Sequence, residues 1–327
     1  MPSKLKKVLI LCSGGDAPGM NATIRAAVRT AIHHDIEIYG CLLGYHGLIE
    51  GNIFQLTNQA VGNIIQRGGT ILKTARSMPF LQPEVQTKCQ QFLLQQGFDG
   101  IVVLGGNGSF QGARALDHNQ GLQIVGIPCT IDNDIVGTEY CIGFDTACNT
   151  AIKAIDNIRD TAFSHDRNFI IEVMGKNSGF LAMEVGLSVG AELILTPERP
   201  YTIDEICTHK TNKTRDKSTS IIVSAECDNP GHSFQLAENI YKQCNEEYKV
   251  CVLGHIQRGG SPSATDRVTG TLMGSAAITS LINGDSNIMV AVQNNNITTM
   301  RLPSASEKTR FVDYEKMQIT NSIVSKT

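Results

Sequence analysis

Val8-Leu9-Ile10-Leu11-Cys12-Ser13-Gly14-Gly15-Asp16-Ala17-Pro18-Gly19-Met20-Asn21 is an apolar run that ends in a glycine turn and leads at once into a helical pattern. Over Asn21–His34 the residues Ile24, Ala27, Val28, Ala31 and Ile32 fall on one helical face. The run itself is apolar on both faces, as a parallel strand covered by helices must be. A strand, a glycine turn and a helix start together present unpaired N–H groups and the positive end of a helix dipole to an anion. The stretch matches neither G-x-G-x-x-G nor the Walker pattern, so alone it reads equally as a tight turn and as a phosphate cradle.

The same alternation continues outward from it. Ile36–Leu43, Ile101–Leu104, Gln123–Ile127, Phe169–Val173, Ser220–Ala225, Val250–Leu253 and Ile288–Val292 read as further strands. Thr146–Thr161 is helical, with Ile152, Ile155 and Ile158 on one face. Strands alternating with helices imply α/β architecture with right-handed crossovers, and in such sheets ligands bind at the carboxyl ends of strands.

The 327 residues include 31 glycines, above the roughly 7% average, and these cluster where predicted strands end. With 41% hydrophobic and 18% charged residues the chain is globular rather than disordered, and its length suggests about two domains. A net charge of −3 offers no global field for nucleic acid or acidic membrane. No apolar run approaches the ~18 residues of a membrane span, and the apolar stretch after Lys6 and Lys7 is too short for a secretion signal. The 10 cysteines show no C-x-x-C and no metal-ligand spacing, so reduced thiols in a cytoplasmic chain are expected. There is no tryptophan for a stacking platform.

Other chemistry also falls at strand ends. Leu104-Gly105-Gly106-Asn107-Gly108-Ser109-Phe110-Gln111-Gly112 is a second glycine loop, and two such loops favour a nucleotide over coincidental turns. Thr130-Ile131-Asp132-Asn133-Asp134 places two carboxylates beside a hydroxyl, where an Asx-rich turn is the bland alternative. Met174-Gly175-Lys176, Glu226 and Gly254-His255-Ile256-Gln257-Arg258-Gly259-Gly260 complete a set suited to a polyanion. Taken singly, His255 is equally a satisfied core histidine and Arg258 an exposed turn charge.

In this order, together with Gln66-Arg67-Gly68-Gly69-Thr70, Thr74-Ala75-Arg76, Ile142-Gly143-Phe144-Asp145-Thr146-Ala147 and Ile158-Arg159-Asp160-Thr161-Ala162, these segments make the chain resemble the bacterial 6-phosphofructokinases from Val8 to about Asn296. The resemblance implies two doubly wound, mostly parallel α/β domains: an ATP-binding domain of residues 1–143 with 257–307, and a sugar-phosphate-binding domain of 144–256 with 308–327. It implies a Mg2+-requiring transfer of the ATP γ-phosphoryl group to the 1-hydroxyl of fructose 6-phosphate, in a cytoplasmic homotetramer. Asp132 would be the catalytic base, Thr130 would position the hydroxyl and Asp134 would support the loop. Gly15 would face the transferred group, and Lys176 would stand at a catalytic cation position. Arg76, Ser77, Gly105, Asn107, Gly108, Ser109 and Gly112 would line the nucleotide. Arg167, Met174, Gly175, Glu226, Lys249, His255 and Arg258 would contact the sugar phosphate, Arg167 and Lys249 across a subunit boundary. Arg25, Asn58, Arg159, Glu192, Arg215 and Lys217 would form an effector site for ADP or phosphoenolpyruvate.

Three positions depart from the family pattern. Asn107 replaces an aspartate that helps hold Mg2+, and Lys176 and Lys249 replace arginines; lysine keeps the charge but lacks the planar fork for phosphate oxygens. These departures leave open a catalytically impaired paralogue that only binds ligand. Pyrophosphate as donor is a further alternative, but that branch carries an acid at Gly108 and a lysine at Cys129, which favours ATP here. Asn58 also replaces an effector-site arginine, so altered effector affinity is expected.

Overall fold

The computed structural model describes residues 5–116, 121–211, 219–227, 230–304, 307 and 310–312, with 209–211 described in backbone only. Strands among these residues are β1 (Lys7–Cys12), β2 (Glu37–Cys41), β3 (Ile53–Gln55), β4 (Gly100–Gly105), β5 (Gln123–Pro128), β6 (Asn168–Val173), β7 (Leu193–Leu195), β8 (Ile221–Ala225), β9 (Tyr248–Val252), β10 (Ile288–Gln293) and β11 (Asn296–Arg301). The α-helices are α1 (Met20–His33), α2 (Gly44–Glu50), α3 (Pro83–Gln95), α4 (Asn107–Ala115), α5 (Phe144–Ser164), α6 (Phe180–Ser188), α7 (Ile203–Thr211), α8 (His232–Cys244) and α9 (Ala264–Asn283). The chain divides into two compact units: Met1–Thr130, Ile135–Thr146 and Arg258–Thr309 form the first, and Ile131–Asp134, Ala147–Gln257 and Arg310–Thr327 the second.

The first unit is built on a sheet of order β11-β10-β5-β4-β1-β2-β3. Its five central strands run parallel, and β3 and β11 add antiparallel edges. Every residue of β4 is buried, as is every residue of β1 after Lys7, which is why these strands read as unbroken apolar runs. Leu9 and Leu11 point into one core layer with Tyr45, Leu93, Ile101, Val103 and Phe110. On the opposite side α1 packs against α9. The order of strands reverses between β1 and β4, and the crevice at such a switch point is where doubly wound sheets bind ligands. The second unit holds a parallel sheet of order β7-β8-β6-β9 around Ile170, Leu193, Ile222 and Ile240. The expected α/β class is therefore the observed one.

All the strands expected from periodicity are present; β3, β7 and β11 are additional. Three residues of β3 or β7 are too few to show a period. β11 is a polar edge strand joined to β10 through Asn294 and Asn295, both at positive φ, the backbone a two-residue hairpin requires. One expectation is corrected: the cysteines are not all free thiols. Cys207 of α7 and Cys244 of α8 form a disulfide across 37 residues of sequence. No spacing rule signals this pair, because it depends on α7 lying beside α8. Cys12, Cys41, Cys89, Cys129, Cys141, Cys148, Cys227 and Cys251 remain thiols outside any disulfide.

Candidate active site

The two glycine loops meet at the switch point. Cys12 pairs with Leu104 in the sheet, and the Ser13 N–H donates to the Leu104 carbonyl at 2.9 Å. Buried Ser109 fills the space between the loops. A Cβ on Gly14 would stand 3.1 Å from Ser109 Oγ, and one on Gly105 would strike both Ser109 Oγ and the Ser13 carbonyl. Gly105 is thus demanded by the close approach of the Ser13 backbone, and Gly14 by its positive φ of 87°. α1 and α4 begin at Gly19 and Gly106 with no side-chain cap. The Met20 N–H donates to the Ala17 carbonyl at 3.3 Å, and the Ser109 and Phe110 N–H groups donate to the Gly106 carbonyl at 3.0 and 3.1 Å.

Several side chains hold the first loop. Thr74 Oγ1 donates to the Gly14 carbonyl at 2.8 Å. Arg258 lies against Gly15 and donates through Nη1 to the Asp16 carbonyl at 3.2 Å. Burial raises the Asp16 carboxyl above its ordinary value of 3.8, while N–H donors from Thr70 and Ala17 and the charge of Arg258 pull it back down. Buried Asn21 ties in the Gln66–Thr70 motif: its Nδ2 donates to the Arg67 and Gly69 carbonyls, and its Oδ1 accepts from Ile71 N. Arg76 is exposed beyond this motif, and the Ser77 hydroxyl oxygen is buried.

Asn107 is the first residue of α4 and half-buried; Gly108 follows it, exposed, and a Cβ there would meet nothing within 4 Å. The chain's own packing therefore does not require glycine at 108. It does at Gly112, where a Cβ would stand 2.6 Å from the Tyr45 ring. Sequence reasoning missed Tyr45. Its buried hydroxyl donates to the Ser109 carbonyl at 2.5 Å and its ring stacks on Phe80, so it fixes the first turn of α4. Thr130 lies beside Gly106, 3.7 Å from where a Cβ would be. Cys129, next to it, is fully enclosed, and burial pushes its thiol well above the ordinary value. Burial thus favours the protonated thiol there over the reactive thiolate.

In the second unit β8, β6 and β9 are neighbours, and Glu226, Met174-Gly175-Lys176 and His255 follow their carboxyl ends. The Lys176 N–H donates to Glu226 Oε1 at 3.1 Å, which draws two of the expected site residues together. Gly175 has φ 131°, and Lys176 also has positive φ at 55°, a turn that an L-residue before it would not take. Buried Met174 donates its N–H to Gln257 Oε1 at 2.9 Å. Gln257 is a second residue that sequence reasoning passed over, since an uncharged amide inside a charged motif gave no signal. Asp132 is half-buried and its carbonyl accepts from Ser178 Oγ at 3.0 Å; the Asp134 carbonyl accepts from Arg310 N at 2.9 Å. Lys249 and Arg167 gather around Glu247, with Lys249 Nζ 2.6 Å from its carboxylate. The hydrogen bond and charge of Lys249, with Arg167 behind them, lower that carboxyl. His255 is exposed.

The expected effector residues divide between the units. Arg25 is half-buried in α1, and Asn58 lines a groove with Asp35 and Glu37, without a cation. Arg159 donates to the Val189 carbonyl. Glu192 is buried and accepts the Ile221 N–H at 2.6 Å, so it serves as a clamp on the start of β8. Arg215 and Lys217 lie outside the described residues.

The family model for phosphofructokinase matches residues 7–281. An ATP-dependent 6-phosphofructokinase of Coxiella burnetii is 52% identical over 322 residues, covering 98% of this chain and 99% of that one. One from Bacillus cereus is 48% identical over 320 residues, with the same coverage of both chains. Among solved structures, phosphofructokinase from Saccharomyces cerevisiae superposes with a TM-score of 0.83 at 31% identity, covering 98% of this chain and 46% of that one. Matched by that family model over most of its length and by such relatives from end to end, the chain belongs to the phosphofructokinase family.

Proposed function

We propose that this chain transfers the γ-phosphoryl group of ATP to the 1-hydroxyl of fructose 6-phosphate, giving ADP and fructose 1,6-bisphosphate in glycolysis. The observation that carries this is its near-full-length likeness, at about half identity, to proteins named ATP-dependent 6-phosphofructokinase. The nucleotide side is assigned to Gly15, Arg76, Ser77, Gly105, Asn107, Gly108, Ser109 and Gly112. The sugar side is assigned to Asp134, Met174, Gly175, Glu226, His255 and Arg258. Thr130 orients the hydroxyl and Asp132 takes its proton as the oxygen bonds to phosphorus and the bond to ADP breaks. The Gly15 N–H and the Lys176 charge stabilise the transferring group.

Mg2+ supplies charge neutralisation between phosphates in such transfers. Among the described residues no cluster of three or more carboxylates, histidines or cysteines forms a metal cage. Asn107 is the residue that would meet the ion, its amide oxygen being a hard but neutral ligand, and the ion would supply the charge neutralisation. Arg167 and Lys249 are assigned to the sugar phosphate of a neighbouring subunit in a homotetramer. Arg25, Asn58, Arg159, Glu192, Arg215 and Lys217 are assigned to ADP or phosphoenolpyruvate. Among the described residues no helix is long and apolar enough to cross a membrane, and we place the chain in the cytoplasm.

The test is a purified-protein assay with ATP, Mg2+ and fructose 6-phosphate, repeated with pyrophosphate for ATP. Formation of fructose 1,6-bisphosphate with ATP is expected. Negligible turnover with retained sugar-phosphate binding overturns the assignment, as does turnover with pyrophosphate alone.

A further inference from the structure

Asp266 is a fully buried acid that the phosphoryl-transfer chemistry does not call upon. It stands in the first turn of α9, three residues after Ser263, whose side chain caps that helix by accepting the Asp266 N–H. An acid at this position ordinarily reaches back to the N–H of its own cap. Here both oxygens turn instead to residues 140–146. Oδ1 accepts from Gly143 N at 2.6 Å and from the Tyr140 hydroxyl at 2.8 Å. Oδ2 accepts from Thr146 N at 2.8 Å and from Thr146 Oγ1. The Ser263 N–H closes the ring by donating to Thr146 Oγ1 at 3.0 Å. Four donors on one carboxylate are what a buried charge requires to be tolerated, and more than helix capping requires.

The turn that Asp266 holds is the floor of the first phosphate loop. A Cβ on Gly143 would stand 2.7 Å from Ala17 Cβ and 3.3 Å from Pro18 Cδ. A Cβ on Gly19 would stand 2.6 Å from Ile142 Cγ2 and 3.3 Å from the Cβ of Asp266 itself. Both glycines have positive φ, at 102° and 108°, so neither contact can be eased by a different residue. Ala17-Pro18-Gly19 therefore rests without slack on Ile142-Gly143, and a displacement of that turn passes directly to Gly15, two residues before Ala17.

We propose that Asp266 is a positioning residue for phosphoryl transfer, which sets the placement of the Gly14–Gly19 loop by gathering the 140–146 turn on its carboxylate. This rests on the reading of the chain as an ATP-dependent phosphofructokinase. Burial raises the Asp266 carboxyl while the donors from Thr146, Gly143 and Tyr140 lower it, as expected of an acid held between desolvation and hydrogen bonding.

The test compares the unaltered full-length protein with Asp266→Asn and Tyr140→Phe. The asparagine keeps the shape but turns an NH2 group toward donors. The phenylalanine removes one donor to the carboxylate, together with the hydroxyl oxygen that accepts the Asp145 N–H at 3.2 Å, and keeps the ring. Each protein is melted first, and kinetics are taken well below the melting temperature with the active fraction determined. Misplacing a reacting group by an ångström costs up to about a hundredfold in rate. We expect kcat with ATP to fall at least about tenfold in Asp266→Asn and about threefold in Tyr140→Phe, with KM for fructose 6-phosphate within about twofold of the unaltered protein. If the variants melt earlier but keep kcat per folded molecule, Asp266 only stabilises the fold and the proposal is overturned. Should Asp266→Asn not fold, the Tyr140→Phe split decides by the same criterion. Absence of turnover in the unaltered protein overturns the assignment of the reaction itself, a result read without either variant.

Discussion

Asn107 and Gly108 are neighbours at the start of α4 and place opposite demands on the chain. Gly108 faces open space, so Gly108→Asp costs no packing, and an acid in the first helical turn is favourable to the dipole. Its carboxylate would instead meet the nucleotide: KM for ATP should rise at least about tenfold while the melting temperature holds or increases slightly. Steady-state kinetics beside a thermal melt checks both halves. Asn107 offers an amide where a charge would serve a hard cation better. Asn107→Asp should lower the Mg2+ concentration giving half-maximal rate, and an unchanged or higher requirement in a Mg2+ titration would remove Asn107 from the metal's surroundings. Asp132→Asn keeps the side chain's size and the Ser178 bond to its backbone carbonyl. It should reduce kcat by about 10²–10⁴ with little change in KM for fructose 6-phosphate.

At the scale of elements, the α7–α8 pair is held by more than apolar packing. Ile206 and Ile240 bury together in the second unit's core, and the disulfide from Cys207 to Cys244 closes a loop over 37 residues. A cross-link of this length is worth about 2–4 kcal/mol. Cys207→Ser, or treatment with a thiol reductant, should therefore lower the urea midpoint of the protein, whereas Cys148→Ser should leave the response to reductant intact. Equal midpoints with and without reductant would show that α7 and α8 need no staple. The strands tell a related story about legibility. β1 and β4 announce themselves because both their faces are covered, so every residue is apolar. β11 does not, because an edge strand with one wet side carries Asn, Thr and Arg, and its pairing comes from the turn at Asn294-Asn295.

For the molecule as a whole, stability as a function of acidity carries a signature of the buried loop. Burial raises Asp16 above its ordinary 3.8, so between that value and the raised one the folded chain keeps a proton that the unfolded chain has released. Stability contributed by this group accordingly falls as pH rises through the window, the reverse of a salt-bridged carboxylate. Asp16 is part-exposed, so solvent screening reduces the effect, but its sign stands. Urea midpoints across the acid range should decline less with rising pH in Asp16→Asn than in the unaltered chain. Identical slopes would show that Asp16 titrates as it does in the unfolded chain.

The motifs proposed for the site stood out in the sequence because phosphate chemistry calls for particular residues at local spacings: glycines where backbone would approach an anion, Asp132 two positions from a hydroxyl, cations after strands. Fold class was legible for a similar reason, since a strand buried on both faces writes its environment into consecutive residues. The partnerships that make those motifs work were not. Asp266 reaches Thr146 across 120 positions, and Met174 reaches Gln257 across 83. Cys207 finds Cys244 only because α7 lies beside α8. Such contacts follow from which strands are neighbours and which helices share a face, and hydrophobic period, identical for any order of the same strands, carries no information about that order. The amino-acid sequence by itself determined which side chains stand at each strand end and the layering of the fold. Only the tertiary structure decided what holds each loop in place, because hydrogen bonds and close approaches over long separations exist only once the sheets have assembled.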